Sequence, residues 1–211
     1  MKRILEVDKR INSKKHELLD LPLIIRVNKF DEDSAKNFAE DMQKAHELEQ
    51  PVIPILIDSY GGLIDSLVSM ISEIQHSKIP IATICQGKAM SCASILLSCG
   101  AEGMRFMDPN SRVMIHEASN MIVGKNEDVK VSAKELDRLN KFIMKLMSQN
   151  CGHNSNYFQN KINEKKNADW YLPARECKKH NLVNHLKVPE MRIKVGVEIT
   201  FNENGVTNGA R

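Results

Sequence analysis

None of the five cysteines in this 211-residue chain is spaced Cys-x-x-Cys from another, so neither metal ligation nor a local disulfide is written into it. Cys85, Cys92 and Cys99 recur every seven residues among apolar or small neighbours, the setting of buried free thiols, because free cysteine behaves as a small hydrophobe. An odd cysteine count points to a reducing compartment. A surplus of one charge is also missing: 30 Lys and Arg stand against 27 Asp and Glu, a net +3, and charge therefore does not indicate nucleic acid as a partner. No stretch approaches the roughly 18 apolar residues of a membrane span. The opening Met1-Lys2-Arg3-Ile4-Leu5-Glu6 stays charged and lacks the apolar core of a signal peptide, which sets the expectation of a cytoplasmic protein.

What the chain does have is 42% apolar residues, ample for a core, on a length that suits one domain. Residues 1–20 form a charged arm with scattered apolar positions, and residues 23–27 read as a strand. Asp33 or Ser34 would cap a helix running to about Leu48, with Ala35, Phe38, Met42 and Ala45 at helical spacing. The continuous apolar run 52–57 reads as a strand buried on both faces. A tight loop, Asp58 to Gly62, leads into a helix over about 63–74 with Leu63, Leu67, Met70 and Ile74 on one side. Residues 79–85, 91–99 and 112–115 read as strand, helix and strand, and 129–150 as a long helix marked by Leu136, Leu139, Ile143, Leu146 and Met147. Alternating strands and helices imply an α/β fold with a mainly parallel sheet. Near the end, Met191, Ile193, Val195, Val197, Ile199 and Phe201 alternate with polar residues or glycine, the signature of a strand with one buried face. Two readings of that strand stay open: addition to the domain's own sheet, or pairing with a neighbouring subunit or partner. Residues 202–211 are polar and read as a loose end.

The chemistry gathers around Gly87-Lys88-Ala89-Met90-Ser91-Cys92-Ala93-Ser94. An apolar strand ends near a glycine, a serine follows between small residues, and an apolar helix opens behind it. Ser91 is thereby exposed at a bend, and the amide of Cys92 faces the same way as the other unpaired N–H groups of a first helical turn. His116 follows 25 positions later at the end of the next strand. A serine beside a helix start is by itself most often an N-cap, and a histidine ending a strand most often a packing residue. Together with a carboxylate they make the parts of nucleophilic catalysis.

Several separate segments carry a resemblance to the ClpP family, the proteolytic subunit of the Clp protease. Asp58-Ser59-Tyr60-Gly61-Gly62 resembles the family's Asn-Ser-Pro-Gly-Gly loop, and residues 87–93 its Gly-Gln-Ala-Ala-Ser-Met-Gly block. Pro109-Asn110-Ser111-Arg112-Val113-Met114-Ile115-His116 is nearly its histidine motif letter for letter. Asp169-Trp170-Tyr171-Leu172 resembles the Asp-Arg-Phe-Leu segment with its catalytic aspartate, and Asn181-Leu182-Val183 the Gly-Leu-Val that follows. The likeness spans roughly residues 23–186.

The resemblance implies stacked β-β-α repeats of the kind shared with the crotonase superfamily, with the long helix as a handle and the C-terminal strand as an addition. It divides the chain into an arm, 1–20, a peptidase domain, 21–187, and an extension, 188–211. It implies Ser91 as nucleophile, His116 as general base and Asp169 as the carboxylate that orients it, with Glu164 and Asp128 as rival carboxylates. Gly62 and Cys92 would donate backbone N–H groups to the oxyanion. Gly61 and residues Met121, Ile122, Val123 and Gly124 would bind extended substrate by strand addition. Lys88, three residues before Ser91, raises a serine–lysine dyad as a rival, although a lysine on that turn is more readily a solvated one.

The implied partners are unfolded polypeptide, further copies of the chain in heptameric rings, and a Clp-type ATPase; the reaction itself needs no metal or organic cofactor, and ATP would serve only a separate unfoldase. Departures are also present. Tyr60 replaces the loop's proline, Asn120 and Met121 a glycine pair, Ala168 an arginine of a ring-to-ring contact, and Leu56 and His76 fall where aromatic docking residues are common. They fit a divergent member, phage-type or paralogous. The reading is a serine endopeptidase; its rivals are a crotonase-type acyl-CoA hydratase or isomerase and an inactive structural ring subunit.

Overall fold

Residues 53–59 show why the sheet forms: Ile53, Ile55 and Ile57 are fully buried, and Pro54 and Ser59 are buried too, so a β-branched run is covered on both faces over most of its length. The computed structural model describes residues 23–119 and 121–190. Leu21–Pro189 make one compact unit. The strands are β1 (Ile25–Val27), β2 (Ile53–Ser59), β3 (Ile81–Met90), β4 (Arg105–Met107), β5 (Arg112–Ile115) and β6 (Trp170–Pro173). The helices are α1 (Glu32–Glu47), α2 (Ile64–His76), α3 (Cys92–Ser98), α4 (Asn126–Asn150), α5 (Tyr157–Glu164) and α6 (Ala174–Lys179). The sheet order is β1-β2-β3-β5-β6, with β4 beside β3. Every pairing is parallel except β5 with β6. The expected mixed α/β fold with a mainly parallel sheet is therefore present.

Helices α1 and α2 bring their apolar stripes to the core: Phe38, Met42 and Ala45 from α1, and Leu67, Met70, Ile71 and Ile74 from α2. Leu63, expected on that stripe, instead precedes α2 as its cap and is 54% exposed. The cap of α1 is Asp31 rather than Asp33 or Ser34. Its carboxylate accepts from the Ser34 N–H at 2.8 Å while the Ser34 hydroxyl accepts from the Asp31 N–H at 2.8 Å, a reciprocal capping box. Every residue of α3 is buried, which makes it the central helix under the sheet. On α4 only the C-terminal half is buried, through Asn140, Ile143, Met144, Met147 and Ser148. Leu136 and Leu139, expected on the apolar side, are partly covered.

The sheet departs from expectation most at β3. Gly87 does not end the strand, which runs ten residues to Met90. Two short strands share it in succession: β4 pairs with Thr83 to Cys85, then β5 pairs with Lys88 to Met90. Between them Gly87 takes φ +109° and donates its N–H to Ser111 Oγ at 2.7 Å. The strand can bend and continue because glycine adopts that φ without a Cβ penalty. The N-terminal arm and the strand expected at 191–201 lie outside the described residues.

Candidate active site

The β3–β5 ladder leads directly to Ser91. Lys88, Ala89 and Met90 face Arg112, Val113 and Met114, and the ladder closes with the Ser91 N–H donating to the Met114 carbonyl at 2.9 Å. Ser91 then caps α3 with φ 55° and ψ −125°, a sparsely populated backbone state for a non-glycine residue. Holding it costs about 1–3 kcal/mol, offset by the structure on either side. The hydroxyl of Ser94 helps by donating to the Ser91 carbonyl at 2.7 Å. Two residues beyond Met114, half-buried His116 leaves the end of β5, and its Nε2 lies 2.8 Å from Ser91 Oγ. That distance suits proton transfer between a hydroxyl and an imidazole.

Gly61 and Gly62 complete the near side. A Cβ on Gly61, at φ +103°, would lie 2.7 Å from Ser91 Cβ and 3.2 Å from the Cys92 nitrogen, so the loop touches the start of α3. Gly62, at φ +150°, is pressed instead against Phe30, whose carbonyl would be 2.2 Å from an added Cβ. The N–H groups of Gly62 and Cys92 donate no hydrogen bond among the described residues, as expected of Cys92 at a first helical position. Burial pushes the Cys92 thiol up, and as a protonated thiol it donates to the Gly62 carbonyl at 3.2 Å. Cys85, Cys151 and Cys177 are buried free thiols as well, while Cys99 is partly exposed at the residue level; burial raises Cys85, Cys99 and Cys151 to about 12.

The carboxylate is less settled. β5 and β6 run antiparallel with Ile115 opposite Trp170, the last pair of the ladder; His116 and Asp169 are the next residues beyond it. Asp169 is exposed, however, and its carboxylate makes no hydrogen bond or ion pair among the described residues; His116 Nδ1 has no partner there either. The rivals are engaged or placed elsewhere. Glu164 pairs with Lys161 at 2.7 Å along α5, and Asp128 stands in the first turn of α4. Lys88 is partly solvated, and its ammonium is not free. Its Nζ bonds Asp58 Oδ1 at 2.7 Å and lies 4.4 Å from the centre of the Tyr60 ring.

Residues Met121, Ile122, Val123 and Gly124 form no strand in the isolated chain. Met121 and Val123 are 90% and 95% exposed. An added Cβ on Gly124 would meet only ordinary contacts with Asp128, so no steric need fixes a glycine there. The sequence reading missed the anchor of the segment after His116. Asn140 accepts the Ala118 N–H at 3.0 Å and donates to Gln159 at 3.1 Å, and Gln159 donates to Glu117 at 2.9 Å. A polar residue at position 140 of an amphipathic helix, buried against the pattern, was the available signal.

The chain is thus a mixed α/β protein with a mainly parallel sheet, in which a strained serine and a histidine meet at the ends of adjacent strands. The family description "Clp protease" matches residues 6–190, and the chain belongs to the Clp protease family. Among the described residues no group of three or more His, Cys, Asp and Glu is arranged to hold a metal ion, and no helix is long and apolar enough to cross a membrane.

Proposed function

We propose that this chain is a serine endopeptidase acting through an acyl-enzyme, and the observation that carries the reading is the 2.8 Å bond between Ser91 Oγ and His116 Nε2 in a member of the Clp protease family. Ser91 attacks the peptide carbonyl while His116 Nε2 takes its proton. The carbonyl oxygen becomes an oxyanion, received by the unpaired N–H groups of Gly62 and Cys92. His116 then returns the proton to the leaving amine, and water repeats the cycle on the ester. Asp169 accepts from His116 Nδ1, a role supported by its place one residue before Trp170, which pairs with the residue before His116. Gly61 lines the approach of the substrate carbonyl.

Residues 121–124 offer an exposed stretch for an extended polypeptide, with Met121 and Val123 two positions apart and both free of intramolecular cover. The substrate is an unfolded or extended chain, the working form a homo-oligomeric ring, and any ATP use belongs to a separate unfoldase. An acyl-CoA hydratase would need the amides but not the serine–histidine bond. The test is a fluorophosphonate probe followed by mapping of the labelled residue. Ser91 is expected to carry the label, and Ser91→Ala to abolish both labelling and peptide cleavage with unchanged melting temperature. Labelling elsewhere, or none in the assembled protein, rejects the reading.

A further inference from the structure

Beyond Asp58 and Ser59, the last residues of β2, the turn 60–62 contains two glycines and no proline, so its backbone has much conformational freedom to lose. Phe30 pairs with Gly62, and Ser59 Oγ accepts the Gly61 N–H at 3.0 Å; the rest of the hold on residues 58–62 comes from the two elements that flank Ser91. Asp58 takes the Lys88 ammonium at 2.7 Å, Ser59 pairs with Ala89, the Tyr60 ring lies 4.4 Å from Lys88 Nζ, Gly61 abuts Ser91, and the Gly62 carbonyl accepts from Cys92 Sγ. Among the described residues only Lys88 reaches both Asp58 and Tyr60 with its side chain. The side chain is only 20% exposed, although Asp58 is half open to solvent.

Two features aim Lys88 at the loop. Across the ladder it faces Arg112, a like charge that disfavours any turn toward β5. Beside it Gly87 lacks a Cβ, and a Cβ there would lie 2.7 Å from Asp58 Oδ1; the missing side chain is what lets the carboxylate reach in. Arg112 and Asn110 line the same polar recess of about 310 Å³ with Asp58, Tyr60, Gly87 and Lys88.

We propose that Lys88 is a positioning residue, whose ammonium joins Asp58 to the Tyr60 ring and so holds Gly61 against Ser91 and Gly62 beside Cys92, with the two oxyanion amides in place. This rests on the serine-peptidase reading. It is distinct from a serine–lysine dyad: a base needs a free amine beside the nucleophile, whereas this ammonium is bonded to Asp58, and that bond raises its pKa above the usual lysine value.

The experiment compares wild type with Lys88→Met, Lys88→Arg, Asp58→Asn and the double variant Lys88→Met/Asp58→Asn. Readouts are kcat and KM on a fluorogenic peptide, the rate of fluorophosphonate labelling at Ser91, and thermal melting. Lys88→Met is expected to lower kcat and the labelling rate by about 3- to 10-fold, the scale of a partly exposed ion pair plus a cation–π contact, with KM and melting nearly unchanged. Lys88→Arg should restore most of the loss, because a guanidinium can meet both partners. The double variant should be no slower than either single one, since one contact is lost once. High salt should slow wild type and leave Lys88→Met unaffected. Additive losses, an unchanged kcat in Lys88→Met, or a loss as deep as that of His116→Ala would each overturn the positioning role. Wild type labelled at Ser91 with no response to Lys88 defeats this proposal alone. Wild type unlabelled defeats the peptidase reading and this proposal with it.

Discussion

Replacing Gly61 by alanine tests the site with one methyl group. At φ +103° an alanine is strained by about 1–3 kcal/mol wherever its side chain points. Here the side chain also points at Ser91, the proposed nucleophile: the new Cβ would stand 2.7 Å from Ser91 Cβ, 2.9 Å from the Met90 carbonyl oxygen and 3.2 Å from the Cys92 nitrogen. Two of these neighbours are backbone, fixed by the β3–β5 ladder and by the start of α3, so the loop is the part that must give. Restoring ordinary contact takes a retreat of about 0.7 Å, directed away from Ser91 and Cys92. Gly62 is the next residue and moves with it. Displacement of one oxyanion donor by that amount should lower kcat/KM by about 10²- to 10³-fold.

The control is Gly103→Ala. Gly103 has φ +75°, and an added Cβ meets nothing within 4 Å. It carries the backbone strain without the collision, so both variants should lose stability of the same order and only Gly61→Ala should lose activity. Peptide hydrolysis, fluorophosphonate labelling and urea unfolding, measured in parallel, separate the two effects. Wild-type kcat/KM in Gly61→Ala, or an equal activity loss in Gly103→Ala, would refute the placement of this loop at the reacting centre.

Three further outcomes follow from other parts of the chain. Asp169→Asn should cut peptide hydrolysis by up to about 10⁴-fold with the fold intact, while Glu164→Gln should leave it near normal; the reverse pattern would assign the orienting role to Glu164. Arg105 is 4% exposed and donates to the Asn150 carbonyl at the end of α4 and to Asn184 Oδ1, so Arg105→Met should cost about 2 kcal/mol and be read as a clear drop in melting temperature. Burial pushes the His180 imidazole below its ordinary value of 6.5, although Glu176 opposes the shift and Tyr157 bonds its Nδ1 at 2.6 Å. The unfolded chain therefore binds a proton that the folded chain refuses, stability falls as pH drops below about 6.5 and levels off beneath the folded value, and His180→Gln should flatten that part of a pH series of urea midpoints.

Wherever a periodic pattern met its own core, the sequence was a good guide. The run 52–57 announced β2, and Phe38, Met42 and Ala45 announced the inner face of α1. Long-range pairing was not legible. The end of β3 depends on β4 and β5 arriving in succession on one edge, and β4 is only three residues long with buried Arg105 at its head, a composition that no strand pattern selects. Asp31 rather than Asp33 or Ser34 caps α1 because Ser34 sits at the third helical position and returns a bond. For the candidate site, motif likeness picked out Ser91 and His116, and the structure brings them to hydrogen-bond distance. The tie from Lys88 to Asp58 and Tyr60 was hidden because it spans 30 positions and relies on the missing side chain of Gly87.

Ser91 and His116 are joined by a feature of the fold itself, since the same ladder that ends in the Ser91–Met114 hydrogen bond delivers His116 two residues later. The third member has no such guarantee. For Nε2 to accept the serine proton, the imidazole must carry its own proton on Nδ1, and that N–H needs an acceptor to hold the tautomer and to stabilise the cation that follows. Asp169 directly precedes β6, as His116 directly follows β5, but among the described residues its exposed carboxylate has no hydrogen-bond or ion-pair partner. The proposed nucleophile and base are thus brought together by backbone pairing, while the proposed orienting carboxylate lies just past the end of the β5–β6 ladder. A perturbation of the β5–β6 end should consequently act on the rate through His116 while leaving the Ser91–His116 distance intact. That separation is why Asp169→Asn, and not a core substitution, is the sharper probe of whether the three residues work as one unit.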